Sequence, residues 1–308
     1  MKLHTIAQHT PKSRNLLVLL AALLLLLAGE GNAQMKMPAT AYFQNQFLAN
    51  PALAGLNQKH SLNGSYGRLW NDIPGAPETI TFSGDFGFGG NMGGGLSVLH
   101  DKAGIIQRTR IMGSYAYHVP FTEAHNLHLG ISAGAILQKF NRSGVIGDVN
   151  DPLLGSGNGA DNRFEADFGA AYTYDKRLTI QATAFNLVSR FTNKDYLGED
   201  HPSFYTAIGY KTKLNVEAGA EAIGIEPKLI VQGRPDLTPV VGAGANLTFL
   251  HELLQASAIY HSTRNFTFGV GINFRSRVSA LVFYETRATD LKGANTGDSF
   301  DFGLRYSF

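Results

Sequence analysis

Cysteine is absent from all 308 residues. That excludes a disulfide framework, thiolate metal sites and a cysteine nucleophile, so an exported form of this chain must be stable without cross-links. Tryptophan occurs once, as Trp70, and only 16% of residues are charged. Long apolar runs are confined to the amino terminus. There, Leu16 to Ala28 is an unbroken run of 13 apolar residues, too short for a helical span of about 20. It follows Lys2, Lys12 and Arg14 and precedes Gly31-Asn32-Ala33, which reads as a secretory signal peptide over residues 1–33. After Ala33 no apolar run is long enough for a membrane helix, so a membrane-embedded chain has to cross as a closed sheet. An excess of one charge sign is lacking too. Without Lys2, Lys12, Arg14 and Glu30 the chain carries 23 basic and 23 acidic groups, which leaves no electrostatic case for a nucleic-acid partner.

What is present is alternation. In the last stretch, Phe300, Phe302, Leu304, Tyr306 and Phe308 interleave with Asp301, Gly303, Arg305 and Ser307. A period of two places the first set on one face of a strand and the second on the other. The stretch resembles the terminal strand of bacterial outer-membrane barrels, whose last aromatic residue serves as an assembly signal. The same rhythm recurs in Ile80, Phe82, Phe86 and Phe88, in Leu127 to Ala135, in Leu178 to Ala184 and in Phe266 to Phe274. Strand starts fall near residues 59, 78, 92, 106, 126, 163, 177, 203, 223, 238, 253, 265, 277 and 299. The reading is an all-β, antiparallel transmembrane β-barrel of about 14 strands over 59–308, preceded by a periplasmic lead-in over 34–58. Three connections are long: 139–162, 188–202 and 287–298. They are the fifth, seventh and thirteenth, all odd, so one end of the barrel collects them, as in outer-membrane barrels with external loops.

The stretch from Gln46 to Phe88 is more specific than any barrel requires. It contains Asn50-Pro51-Ala52-Leu53-Ala54-Gly55, Arg68-Leu69-Trp70, Gly75-Ala76-Pro77-Glu78-Thr79 and Ser83-Gly84-Asp85. This order resembles the PorP/SprF family of the type IX secretion system of Bacteroidetes; Leu69 departs from the glutamine commoner there. His100-Asp101-Lys102-Ala103-Gly104, Tyr115-Ala116-Tyr117 and Asp167-Phe168-Gly169 fit as well. The resemblance implies a non-enzymatic outer-membrane barrel, surrounded by outer-membrane lipids and linked to protein secretion and gliding motility. It also implies partners: other secretion components, including a periplasmic peptidoglycan-linked lipoprotein, and exported surface proteins such as adhesins. The motif residues Asn50, Pro51, Ala52, Gly55, Arg68, Trp70, Gly75, Ala76, Pro77, Thr79, Ser83 and Asp85 serve either partner contact or fold specification. Trp70 suits a membrane–water interface, and Arg68 shares a strand face with Tyr66.

Catalytic and cofactor signatures are missing. There is no G-x-S-x-G elbow and no H-E-x-x-H pair, and His100, His118, His125, His128, His251 and His261 spread over both predicted rims. Gly155-Ser156-Gly157-Asn158-Gly159 lacks the Lys-Ser/Thr of a phosphate loop. Asp148-Val149-Asn150-Asp151 begins like a calcium loop, but Pro152 and Leu153 stand where a ligand and the turning glycine belong. No cofactor or metal is therefore expected. The alternative function is an outer-membrane solute channel: Asp85, Gln138, Asp167, Gln181, Asn273, Glu285 and Arg305 point inward by pattern and would line a pore or meet a plug.

Overall fold

The computed structural model describes residues 37–70, 75–140, 160–191, 201–214, 222–275, 277–287 and 298–308. The signal-peptide segment, the side chain of Trp70, and the glycine-rich and calcium-like stretches lie outside what is described. Each wall strand alternates residues that can face lipid with residues that cannot, which is why the chain forms strands and why the sheet closes on itself.

In chain order the strands are β1 (His60–Trp70), β2 (Glu78–Gly89), β3 (Met92–Ala103), β4 (Ile106–Pro120), β5 (His125–Phe140), β6 (Ala160–Tyr174), β7 (Leu178–Phe185) and β8 (Ser203–Tyr210). They continue as β9 (Thr212–Leu214), β10 (Ile223–Gly233), β11 (Val240–Phe249), β12 (Leu254–His261), β13 (Asn265–Phe274), β14 (Val278–Glu285) and β15 (Asp298–Ser307). The short β9 is the end of β8: Gly209 faces Lys228 and Thr212 faces Ile225 in one unbroken register against β10. The wall thus has 14 strands, the number the periodicity predicts. The observed starts agree with the predicted ones to within three residues.

Sequence neighbours pair antiparallel all the way round, and β1 pairs with β15 to close the ring, with Tyr66 opposite Phe302 and Leu62 opposite Tyr306. Closure leaves no edge strand and so no row of unpaired backbone groups to place in lipid. The outer face is apolar. Phe300, Phe302, Leu304, Tyr306 and Phe308 are 43–59% exposed, whereas Ser299 on the opposite face is 3% exposed. Such a continuous exposed apolar band would aggregate in water and is at home in hydrocarbon.

The long connections after β5, β7 and β14 all leave the same end of the wall, here the long-loop end. The other end carries tight turns, where positive φ at Asn91, Asp175, Lys176 and Arg275 reverses the chain within a few residues.

One expectation changes. The sequence places the lead-in over 34–58 in the periplasm, but its described part, from Met37 on, runs inside the wall. Two single-turn helices, Thr40–Phe43 and Gln46–Ala49, and 3-10 turns at Pro51–Leu53 and Leu56–Gln58 fold into the lumen. Ala39, Ala41, Ala49, Asn50, Ala52 and Ala54 are at most 1% exposed. The physical reason is that the segment is rich in alanine and amide side chains, small enough for a barrel interior and able to bond its polar wall.

Candidate functional site

The plug descends from the long-loop half of the lumen to the short-turn end. Met37, Ala41 and Tyr42 pack with Phe185, Tyr205, Ala207, Ile230 and Ile259 of β7, β8, β10 and β12, and Ala39 packs with Leu281 and Phe283 of β14. At the other end, the Gln58 side chain accepts a hydrogen bond from the Gly89 amide at 2.7 Å, beside the β2–β3 turn. Between these ends the plug is bonded to nearly every side of the wall.

Asn50 is the central anchor. Its Oδ1 accepts from the Ala52 amide at 2.9 Å, which shapes the turn that Pro51 begins. Its Nδ2 donates to the carbonyl of Ala170 on β6 at 3.0 Å and more weakly to that of Ala182 on β7 at 3.4 Å. The Gly55 amide donates to Asp85 Oδ2 at 3.1 Å, and Ser61 donates to the other oxygen of the same carboxylate. Gly55 has φ +61°, and a side chain there would sit 2.3 Å from the Phe86 carbonyl, so only glycine fits. Asn45 donates to Ser83 Oγ at 2.8 Å.

Two cationic side chains, on β10 and β15, also hold the plug. Lys228 Nζ donates to the Tyr42 carbonyl at 2.6 Å, pairs with Glu226 at 3.1 Å and lies 4.7 Å from the Phe43 ring centre. Arg305 donates to the Gln44 carbonyl at 2.6 Å, and Thr183 to the Ala49 carbonyl at 2.8 Å. A histidine relay serves the short-turn half. His118 Nε2 lies 3.1 Å from the Ala54 carbonyl, His118 Nδ1 lies 2.9 Å from His128 Nδ1, and His128 Nε2 lies 2.9 Å from Thr173 Oγ1. One set of roles satisfies all three: neutral His118 donates to Ala54, His128 donates to His118, and Thr173 donates to His128.

Glycines on the inner face make room for the plug. A Cβ on Gly130 would lie 2.3 Å from the Ala52 nitrogen, one on Gly169 2.1 Å from Asn50 Oδ1, and one on Gly93 2.0 Å from the Ala54 carbonyl. Strand glycine, usually a weakness, here permits close approach of a second backbone.

The predicted site residues therefore divide. Asn50, Pro51, Ala52, Gly55, Ser83 and Asp85 belong to the plug and its seat. Thr79 faces inward and donates to Asp101 at 2.7 Å. Gly75, Ala76 and Pro77 form the end of the first connection, where Gly75 accepts from the Gly104 amide at 3.0 Å and Pro77 from Leu69 at 3.0 Å. Arg68 faces outward, 54% exposed, 3.7 Å from Glu78. Phe300, Phe302, Leu304, Tyr306 and Phe308 face lipid, and the Phe308 ring lies 5.5 Å from that of His60. Of the inward residues considered for a pore, Asp85 and Arg305 bond the plug directly, and Gln181 reaches Gln46 Oε1 at 3.5 Å. Asp167 instead pairs with Arg110, one guanidinium nitrogen of which donates to both carboxylate oxygens at 2.7 Å. His118, His128 and His261 are luminal and buried. Sequence reasoning missed Lys228, Thr183 and the histidine relay as plug anchors. Their signal was polar residues at inward positions of otherwise apolar strands.

A closed up-and-down wall, apolar outside and filled with bonded polar groups inside, defines an integral membrane β-barrel. The sequence matches the family model described as type IX secretion system membrane protein PorP/SprF over residues 31–306. The chain belongs to that family, and it is an outer-membrane component of type IX secretion. No curated protein matches it. Among solved structures, Acinetobacter baumannii Omp33 shares 9% identity with a TM-score of 0.49, covering 82% of this chain and 100% of that one. The Ralstonia pickettii toluene transporter TbuX shares 12% with a TM-score of 0.48, covering 91% and 96%. The KdgM porin shares 10% with a TM-score of 0.38, covering 80% and 99%.

Proposed function

We propose that this barrel is a non-enzymatic docking platform rather than a conduit. Its short-turn face engages periplasmic secretion machinery, including a peptidoglycan-linked lipoprotein, and its long loops hold an exported surface protein during export or anchoring. The observation that carries this reading is the filled lumen: residues 37–58 are bonded to β2, β4, β6, β7, β10 and β15. A protein whose interior is occupied by its own chain has its two faces left for work. The lead-in is accordingly an inner filling rather than a periplasmic surface, and the motif from Asn50 to Gly55 specifies the plug.

Affinity purification from native membranes tests the assignment. Deleting 141–159, between β5 and β6, is expected to lose the exported partner and keep the periplasmic one. Replacing Lys176 and Arg177 in the β6–β7 turn by glutamine is expected to do the reverse. Unchanged recovery of both partners with both variants would sink the reading. The competing channel reading predicts steady ion conductance from the intact purified chain in planar bilayers.

A further inference from the structure

Among the described strands, lysine and arginine on the outer face of the long-loop end gather in one sector. The register places Arg68, Glu78, Lys102, Gln107 and Lys139 directly opposite one another on β1, β2, β3, β4 and β5. Residues paired in this way share a face. That face is the outward one, because each strand shows exposed apolar residues at the same parity: Tyr66 41%, Phe82 62%, Leu96 54%, Ile111 38% and Ile131 55%. Lys102 and Lys139 are exposed, and neither makes an ion pair with a described residue. Arg68 shares its charge with Glu78 at 3.7 Å. Among the described residues, no strand from β6 to β15 places a lysine or arginine outward at this end.

The row lies where the apolar band stops. Tyr66, Ile80, Val98, Ile111 and Leu137 are the last apolar outward residues before it, and His100 bonds Thr109 at 2.8 Å on the same face just beneath Lys102 and Gln107. An outward polar pair marks the edge of the hydrocarbon. Neighbouring strands lie about 4.8 Å apart, so Lys102 and Lys139 rise from backbones about 10 Å apart, flanking Gln107. Both stems are long enough to bring their ammonium groups to one anion, with the Gln107 amide as a further donor.

We propose that this row is a binding site for the phosphate of an anionic lipid in the outer leaflet, seated over Gln107 between Lys102 and Lys139, with Arg68 at its flank. The residues face lipid rather than the aqueous rim, so the anion that meets them is a headgroup. Three cations against one carboxylate give the site its sign. Attraction of this kind falls with salt and contributes about fivefold in affinity for each cation near the surface. The proposal rests on membrane placement alone, and failure of the docking experiments leaves it untouched.

The test uses the full chain in detergent with phosphorylated lipid A and its dephosphorylated form as probes, and lipid retention read by native mass spectrometry. Wild type is expected to retain the phosphorylated form at least tenfold better. K102Q/K139Q is expected to lose that preference, while K176Q/R177Q at the short-turn end keeps it. Heat-modifiable migration on gels verifies that each variant is a folded barrel; if the double variant does not fold, K102Q and K139Q singly are each expected to lose about fivefold. Equal retention of both lipids by wild type, undiminished preference in the folded lysine variants, or equal loss in K176Q/R177Q would overturn the site.

Discussion

Asn50 Nδ2 lies 3.0 Å from the carbonyl of Ala170, a residue 120 positions further along the chain and on the far strand of the β5–β6 hairpin. With Oδ1 holding the Ala52 amide, one fully buried amide both folds the plug and fastens it to the wall. Asn50→Ala removes all of these bonds and leaves the Ala52 amide without its acceptor. A loss of about 1–3 kcal/mol in unfolding free energy is expected, read from urea titration in micelles. Asn50→Asp is expected to be worse, because a carboxylate would then face two carbonyls.

The absence of cysteine makes the plug directly observable. A single cysteine replacing Ala52, which is 0% exposed, is expected to resist maleimide in the native barrel and to react after unfolding. A cysteine replacing Lys176 is expected to react in both states. Prompt labelling at position 52 in the folded protein would contradict the filled lumen.

Gly130→Leu tests the fit from the wall side. Its side chain would enter the space of Pro51 and Ala52, with no room even for Cβ, so the plug has to shift. The variant is expected to assemble as a barrel and yet raise maleimide reactivity at Ala52→Cys severalfold. The outward-facing control, Gly113→Leu, has its nearest neighbour 3.8 Å from the Cβ position and is expected to leave reactivity unchanged.

Removal of residues 37–56 is expected to convert a non-conducting protein into one with steady conductance in planar bilayers. His118→Phe keeps the ring volume while removing the donor to Ala54. It is expected to cost about 1 kcal/mol and to raise labelling of a cysteine at Ala54 without opening a steady pore.

Deletion of Phe308 removes the ring beside His60 and Phe86, 5.5 and 6.2 Å away, and the amide that donates to the His60 carbonyl at 3.2 Å. This link ties the last residue to the first strand at the seam. A lower yield of heat-modifiable barrel in the outer membrane is expected, measured against a Phe308→Tyr control that retains both ring and amide.

The wall was legible in the sequence because its period is exposed to two unlike solvents. Phe300 through Phe308 alternate without error, and the strand starts follow from turn residues and parity. The plug was not legible as such. Residues 37–58 have no period of two, and their alanines and amides read equally well as an irregular tail. Their partners are spread from Ser83 to Arg305, so no local pattern betrays them. Nothing in the local sequence marks Gly93, Gly130 and Gly169 as the inner-surface positions that leave space for a second backbone. Arg68 shares the outward face with Tyr66, and Glu78 stands opposite it on β2 at 3.7 Å.

Every other pairing in the wall joins neighbours in sequence, whereas the seam between β1 and β15 joins the first strand to the last. The segment that fills the lumen lies immediately before that first strand. One end of the chain therefore supplies both the inner mandrel and the staves at the joint, and the two cannot be exchanged independently.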